Sequence, residues 1–222
     1  MILSRAQAQI EQDIDGMEIL RGIERAGRTC YKSEDKITDE SAAKFVASII
    51  KSGHDSVIEH RSVTARVICD RGITHELVRH RLASFSQEST RYCNYKGGVE
   101  FIIPNWLEID DGEWTYDSEL PFDEESAEWC WYMACLDTES YYLNLIEKGW
   151  KPQQARSVLP NSLKTEIVVT ANLRQWRHIF RLRALNKRAH TQIREVMYPL
   201  LCEMRGKIPV VFDDLETEEV VA

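Results

Sequence analysis

One stretch limits the possible folds more than any other. Residues 165–172, Thr-Glu-Ile-Val-Val-Thr-Ala-Asn, are dominated by β-branched side chains and make the strongest strand in the chain. Asn172 stands where a side-chain oxygen caps a helix beginning at Leu173. A strand that runs straight into a helix demands an α/β architecture. At about 100° per residue, Leu173, Trp176, Ile179 and Phe180 share one face of that helix, while Arg174, Arg177, His178 and Arg181 share a cationic face open to solvation. Arg183 falls in the middle of the apolar face. Burying a guanidinium there costs several kcal/mol without a partner, so either an internal salt bridge or a ligand contact is required.

The rest of the chain fits one α/β domain over 1–222, with a mainly antiparallel sheet flanked by helices. Helices are expected over about 16–28 and 40–51, the second capped by Thr38 or Asp39 and closed by Gly53. Residues 62–69 alternate, with Val63, Ala65 and Val67 on one face, which predicts a strand with one wet side. A short helix over 72–80 follows, then a polar, irregular stretch over 82–98 and a second strand over 99–103, stopped by Pro104. Residues 108–128 form an acidic surface excursion. A long helix runs over about 123–148 with Gly149 past its end, and Pro152 opens a shorter one that stops before Pro160. The last helix, about 189–205, carries Ile193, Val196, Met197, Leu200, Leu201 and Met204 on one stripe, with Pro199 expected to kink it. An acidic tail over 213–222 ends the chain.

Net charge is −8, which argues against a general nucleic-acid binder. The charge is segregated, however: residues 1–96, 97–147, 148–207 and 208–222 carry +1, −14, +10 and −5. An acidic chain of this kind still offers a local cationic pocket for an anionic small molecule. No apolar run approaches the roughly 18 residues that span a bilayer, and no membrane partner is expected. Met1-Ile2-Leu3-Ser4-Arg5 lacks the apolar run of a secretory signal, so the expected compartment is cytoplasmic. The six cysteines form no Cys-x-x-Cys pair and are expected as free thiols. His75 and His80 are five apart, one residue too many for a zinc-binding helix face, and no metal is expected.

Neither a G-x-G-x-x-G nor a Walker loop is present, so side chains must hold any phosphate. Two basic segments qualify: Arg79-His80-Arg81 with Arg91, and the run Arg174, Arg177, Arg181, Arg183, Lys187 and Arg188. Between the first set lie Ser84, Ser86, Gln87, Ser89 and Thr90, short polar side chains bracketed by arginines. That pattern suits bidentate phosphate recognition. A structural turn explains the serines equally well.

Arg79-His80-Arg81, seven residues, then Ser89 resembles the R-H-R-x7-S signature of the flavin-dependent thymidylate synthases. The likeness extends to 53–60 (Gly-His-Asp-Ser-Val-Ile-Glu-His), 155–160 (Ala-Arg-Ser-Val-Leu-Pro), Asn172-Leu173-Arg174 and Leu182-Arg183, covering roughly residues 16–205. It implies that FAD is held by Ser56, Arg79, His80, Arg81, Gln87, Asn172, Arg174 and His178. The dUMP site would draw on Glu76, Arg79, Gln87, Glu88, Ser89, Thr90, Arg91, Arg156 and Arg183, and His54 would lie on the folate side. Arg183 matches the family's activating arginine beside N3 of the uracil. The chain departs from the family at Ser86-Gln87, where many members carry Asn-Glu, and at Glu76, where some carry Gln. Past Arg183 the spacing leaves Lys187, Arg188 and His190 all open as the position of a further flavin contact.

The resemblance implies reductive methylation of dUMP to dTMP, with 5,10-methylenetetrahydrofolate as carbon donor and NADPH reducing FAD, in a homotetramer with shared active sites. In that chemistry a guanidinium beside N3 makes C5 nucleophilic, with no enzyme cysteine or serine as nucleophile; Ser89 serves as a binding hydroxyl. Two rivals follow from the same residues: a nucleotide- or nucleic-acid-binding protein without catalysis, using the +10 segment with Trp176 and Phe180, and a flavoprotein that oxidises NADPH without methylating anything.

Overall fold

The computed structural model describes residues 1–215; the acidic tail expected over 213–222 lies outside them from 216 onward. The strands are β1 (Ile2–Ser4), β2 (Gln7–Ile10), β3 (Ser62–Asp70), β4 (Ala83–Gln87), β5 (Glu100–Ile102), β6 (Gly112–Glu113) and β7 (Lys164–Asn172). The helices are α1 (Gly16–Tyr31), α2 (Ser41–Lys51), α3 (Arg71–Leu77), α4 (Ala127–Glu147), α5 (Pro152–Ala155), α6 (Leu173–Phe180) and α7 (Thr191–Lys207). The chain divides into two compact units, the first comprising Met1–Gln7, Ile68–Arg79 and Ser86–Ile167, and the second Ala8–Val67, His80–Phe85 and Val168–Ala222.

The class expected from the sequence holds: a mixed α/β chain whose principal sheet is flanked by helices. That sheet has the order β2-β3-β7-β4. Thr64 Oγ1 lies 2.9 Å from Thr170 Oγ1, and Arg71 N–H donates to the Leu163 carbonyl. Residue numbers therefore rise along β3 as they fall along β7, which makes the central pair antiparallel. A smaller sheet of order β5-β1-β6 in the first unit is mixed, with β1 parallel to β5 and antiparallel to β6.

The first unit buries Leu3, Val99, Phe101, Ile103, Tyr132, Leu136 and Tyr142 in one cluster. The acidic 108–128 stretch belongs to this unit and is mostly exposed. Arg5 ties it down by donating to the carbonyls of Leu107 and Ile109. In the second unit Val63, Ala65 and Val67 of β3 are fully buried, as their alternation requires. Trp176 stacks on Phe180 and donates its indole N–H to the Val63 carbonyl, 2.9 Å away, while Phe180 meets the edge of Phe212. All six residues of the α7 stripe are buried, and the helix continues through Pro199.

One local device recurs and positions the chemistry. Strand β3 ends at Asp70, whose carboxylate accepts from Ile73 N–H and starts α3. Strand β7 ends at Asn172, whose side chain accepts from Gln175 N–H and starts α6. Each nine-residue strand thus turns directly into a capped short helix, and a basic functional segment follows each one.

Three local expectations are corrected, and two short strands are added. Residues 82–98 are not wholly irregular, because Ala83–Gln87 forms β4; its polar alternation hid the strand. Helix α3 stops at Leu77, three residues short of His80. Helix α2 begins after Glu40 with no side-chain cap, and Thr38 N–H donates instead to Ser41 Oγ. The short strands β1 and β2 went unread because each has fewer than five residues and offers too little periodicity.

Candidate active site

Of the residues expected around a nucleotide, Glu76, Arg79, Gln87, Glu88, Ser89, Thr90, Arg91 and Arg156 all belong to the first unit. Gln87, the last residue of β4, donates its amide Nε2 to Thr74 Oγ1 at 3.0 Å and Thr165 Oγ1 at 3.3 Å. Thr74 in turn donates to the Arg71 carbonyl. With both hydroxyls engaged, the amide is fixed in orientation and its oxygen, not its nitrogen, is left outside this network. Glu88 follows and accepts from Tyr95 O–H at 2.7 Å; burial and that bond raise the Tyr95 phenol above its ordinary value. Ser89 Oγ accepts from Arg91 N–H two residues on, the local turn that the serine pattern allowed.

Thr90 is buried, and its Oγ1 accepts from Arg156 at 3.2 Å. Both residues line an open pocket of about 500 Å³ together with Arg71, His75, Ser157 and Asn161. Two guanidiniums, an imidazole and several neutral donors in one pocket suit an anion. The sequence reading missed Arg71, Thr74, His75, Asn161 and Thr165. Their only signal was adjacency, since Arg71 and His75 lie on the helix leading to Arg79, and Asn161 follows the Ala155–Pro160 motif.

The second unit holds His54, Ser56, His80, Arg81, Asn172, Arg174, His178 and Arg183. His54 and Ser56 are exposed at the start of a 3-10 turn, Asp55–His60, that follows Gly53 at φ +70°. Arg174, also exposed, is paired with Glu59 of the same turn. Asn172 spends its side-chain oxygen on the α6 cap, which leaves its amide nitrogen outside that bond.

His80 is 5% exposed. Its Nε2 accepts from Arg183 Nε at 3.2 Å, and its ring meets the edge of His178 with centroids 5.6 Å apart. Burial first, then the Arg183 and His178 charges, hold the His80 imidazole down at about 4, against an ordinary 6.5. It is neutral at physiological pH.

The helical-face expectation for the basic run is revised in both directions. Arg177, placed on the solvated face, is 2% exposed and donates to both carboxylate oxygens of Asp214 and to the Val211 carbonyl. Arg183, placed on the apolar face, is half-buried. The reason is the backbone: α6 gives way at Arg181–Leu185 to a π-helical segment, whose wider turn carries Arg183 out of the α register. The Arg177 partner lies more than thirty residues away on the C-terminal segment, which no helical projection reveals.

An α/β fold with basic segments after capped helices, a pocket lined by arginines and a neutral histidine bonded to an arginine has the features of a nucleotide-handling enzyme. The profile of the family described as "Thymidylate synthase complementing protein" (Thy1) matches residues 14–210. A flavin-dependent thymidylate synthase of Corynebacterium efficiens is 35% identical over 223 residues, covering 94% of this chain and 83% of that protein. One from Mycobacterium tuberculosis is 36% identical over 209 residues, covering 92% and 82%. Among solved structures, a UMP/dUMP methylase, PolB, from Streptomyces cacaoi bound with 5-Br UMP superposes with a TM-score of 0.75 at 21% identity, over 96% of this chain and 94% of that one. The chain belongs to the flavin-dependent thymidylate synthase family, FAD-dependent methyltransferases that act on dUMP.

Proposed function

We propose that this protein methylates dUMP to dTMP, with the one-carbon unit taken from 5,10-methylenetetrahydrofolate and NADPH as reductant, in a homotetramer that shares its active sites. The reading takes the chain as one folding domain, because its backbone passes five times between the two units. Its compartment is cytoplasmic; among the described residues no helix is long and apolar enough to cross a membrane.

The donor set of the second unit fits FAD. Exposed Arg174 at the N-terminus of α6 and exposed Arg81 suit a pyrophosphate, Ser56 suits a hydroxyl-bearing chain, and neutral His80 suits an uncharged ring. Asn172 and His178 complete the set from this unit, and the family resemblance adds Arg79 and Gln87 of the first unit. Bound FAD would relay reducing equivalents from NADPH and mediate one-carbon transfer.

The chain's own residues would do the rest. Arg156 and Thr90, with Arg71 alongside, would hold the nucleotide phosphate, with Ser89 and Arg91 adding donors. Glu76, Arg79 and Glu88 belong to the same set, and the Gln87 oxygen would accept from the nucleoside. Arg183 beside N3 would stabilise the ionised uracil; at an effective dielectric of about 20, a contact at about 4 Å is worth roughly 4 kcal/mol. His54 would flank the folate.

The observation that most supports the reading is Arg183 itself: a half-buried guanidinium whose Nε donates to a neutral imidazole. A visible absorption spectrum tests it. The purified protein, or the protein mixed with FAD, should show a bound-flavin spectrum that NADPH bleaches. A colourless protein that takes up no FAD and binds nucleic acid with a steep salt dependence would favour the binding-protein rival.

A further inference from the structure

The contact between His80 and Arg183 is assigned no purpose by anything above, since His80 is expected only to touch flavin. Three features meet there. Arg183 sits on a π-helical segment, an irregularity that interrupts an otherwise regular run from α6 and changes the direction of its side chain. Its Nε donates at 3.2 Å to an imidazole nitrogen that is 5% exposed. The ring edge of His178 meets His80 at 5.6 Å.

We propose that His80 is a positioning residue for Arg183: its Nε2 accepts from the guanidinium Nε and fixes the plane in which Arg183 meets the uracil N3. The inference rests on the role for Arg183 given under the proposed function. The atom pairing is what makes it specific. Nε is the one guanidinium nitrogen attached to the side-chain stem, so a bond there sets the rotation of the whole planar group and does not use the terminal nitrogens. An acceptor at Nε2 requires the proton of the neutral ring to be on Nδ1. A carboxylate in the place of His80 would hold Arg183 as firmly but would neutralise it. A neutral imidazole orients the cation without itself placing a negative charge beside it, which suits electrostatic stabilisation of an ionised base. Burial keeps the ring neutral, with the single proton on Nδ1, down to about pH 4.

The test reads ionisation of the bound base, apart from turnover. With flavin-loaded protein, fluorine-19 NMR of bound 5-fluoro-dUMP is followed against pH, and flavin loading is checked by absorbance for each variant. A hydrogen bond from a charged donor is worth about tenfold in an equilibrium, so His80→Leu should raise the pH at which the bound base ionises by about one unit. His80→Gln, whose amide oxygen accepts, should recover part of that shift. In an Arg183→Gln or Arg183→Lys background, which lacks the Nε–H donor geometry, His80→Leu should have no further effect. The inference is overturned if His80→Leu ionises the analogue at the wild-type pH, or if its effect is undiminished in both Arg183 backgrounds. Wild-type protein that loads flavin yet never ionises the analogue would instead overturn the role of Arg183 and this inference with it.

Discussion

Asp214→Ala probes the energetics of the second unit. The Arg177 side chain is 2% exposed and that of Asp214 46% exposed, with guanidinium-to-carboxylate distances of 2.5 and 2.6 Å. Breaking a fully buried ion pair from one side costs about 3–5 kcal/mol. Water at the half-exposed carboxylate screens this pair, so about 2 kcal/mol is the expected loss. For a chain of this length that is a fall in Tm of about 4–8 °C. The double variant Arg177→Met, Asp214→Ala removes the stranded charge and refills its space, and should recover most of the loss. The Arg177 hydrogen bond holds the Asp214 carboxyl below its ordinary 3.8. Its contribution is therefore present above that value and disappears as pH falls through the lower native one. Thermal melts by circular dichroism at pH 7 and under acid conditions report all of this. A single variant within about 1 °C of wild type, or a double variant no better than the single, would refute the reasoning.

His80 carries a pH signature of its own. The unfolded ring takes up its proton near 6.5 and the native one only near about 4, so stability is full above 6.5 and declines as pH falls towards 4, by at most about 3 kcal/mol. The urea midpoint of wild type should fall relative to that of His80→Gln as pH drops from 6.5 towards 4; parallel curves would contradict the assignment. Gly27→Ala in α1 would put a Cβ 2.7 Å from the Phe45 ring and 2.9 Å from Val57. A net loss of about 1–3 kcal/mol is expected despite the better helix former, and a stabilised variant would show that the helix shifts freely. Thr90→Val removes the acceptor for Arg156. Steady-state kinetics should show KM for dUMP raised about fivefold with kcat little changed, whereas a fall in kcat alone would move Thr90 away from the phosphate.

Much of this was legible in the sequence because it depended on neighbours along the chain. The β7–Asn172–α6 passage, the Gly149 and Gly53 endings and the α7 stripe are all local in cause, and each is present. The candidate site's residue types come from the resemblance to the R-H-R-x7-S signature. What stayed hidden was non-local or irregular. Strand β4 reads as a polar loop until β7 pairs with it, and the burial of Arg177 depends on Asp214, far along the chain. The orientation of Gln87 depends on threonines from α3 and β7. The exposure of Arg183 depends on a π segment that a uniform helical pitch cannot represent.

The central claim is that this chain methylates dUMP through a flavin, with Arg183 activating the base. Tritium release from dUMP labelled at C5 is its most direct measurement, run with FAD, NADPH and 5,10-methylenetetrahydrofolate and paired with detection of dTMP. The account predicts release matched by dTMP formation, dependent on all three additions and abolished or severely reduced in Arg183→Ala. NADPH oxidation without tritium release, or an Arg183→Ala variant that methylates at the wild-type rate, would contradict it.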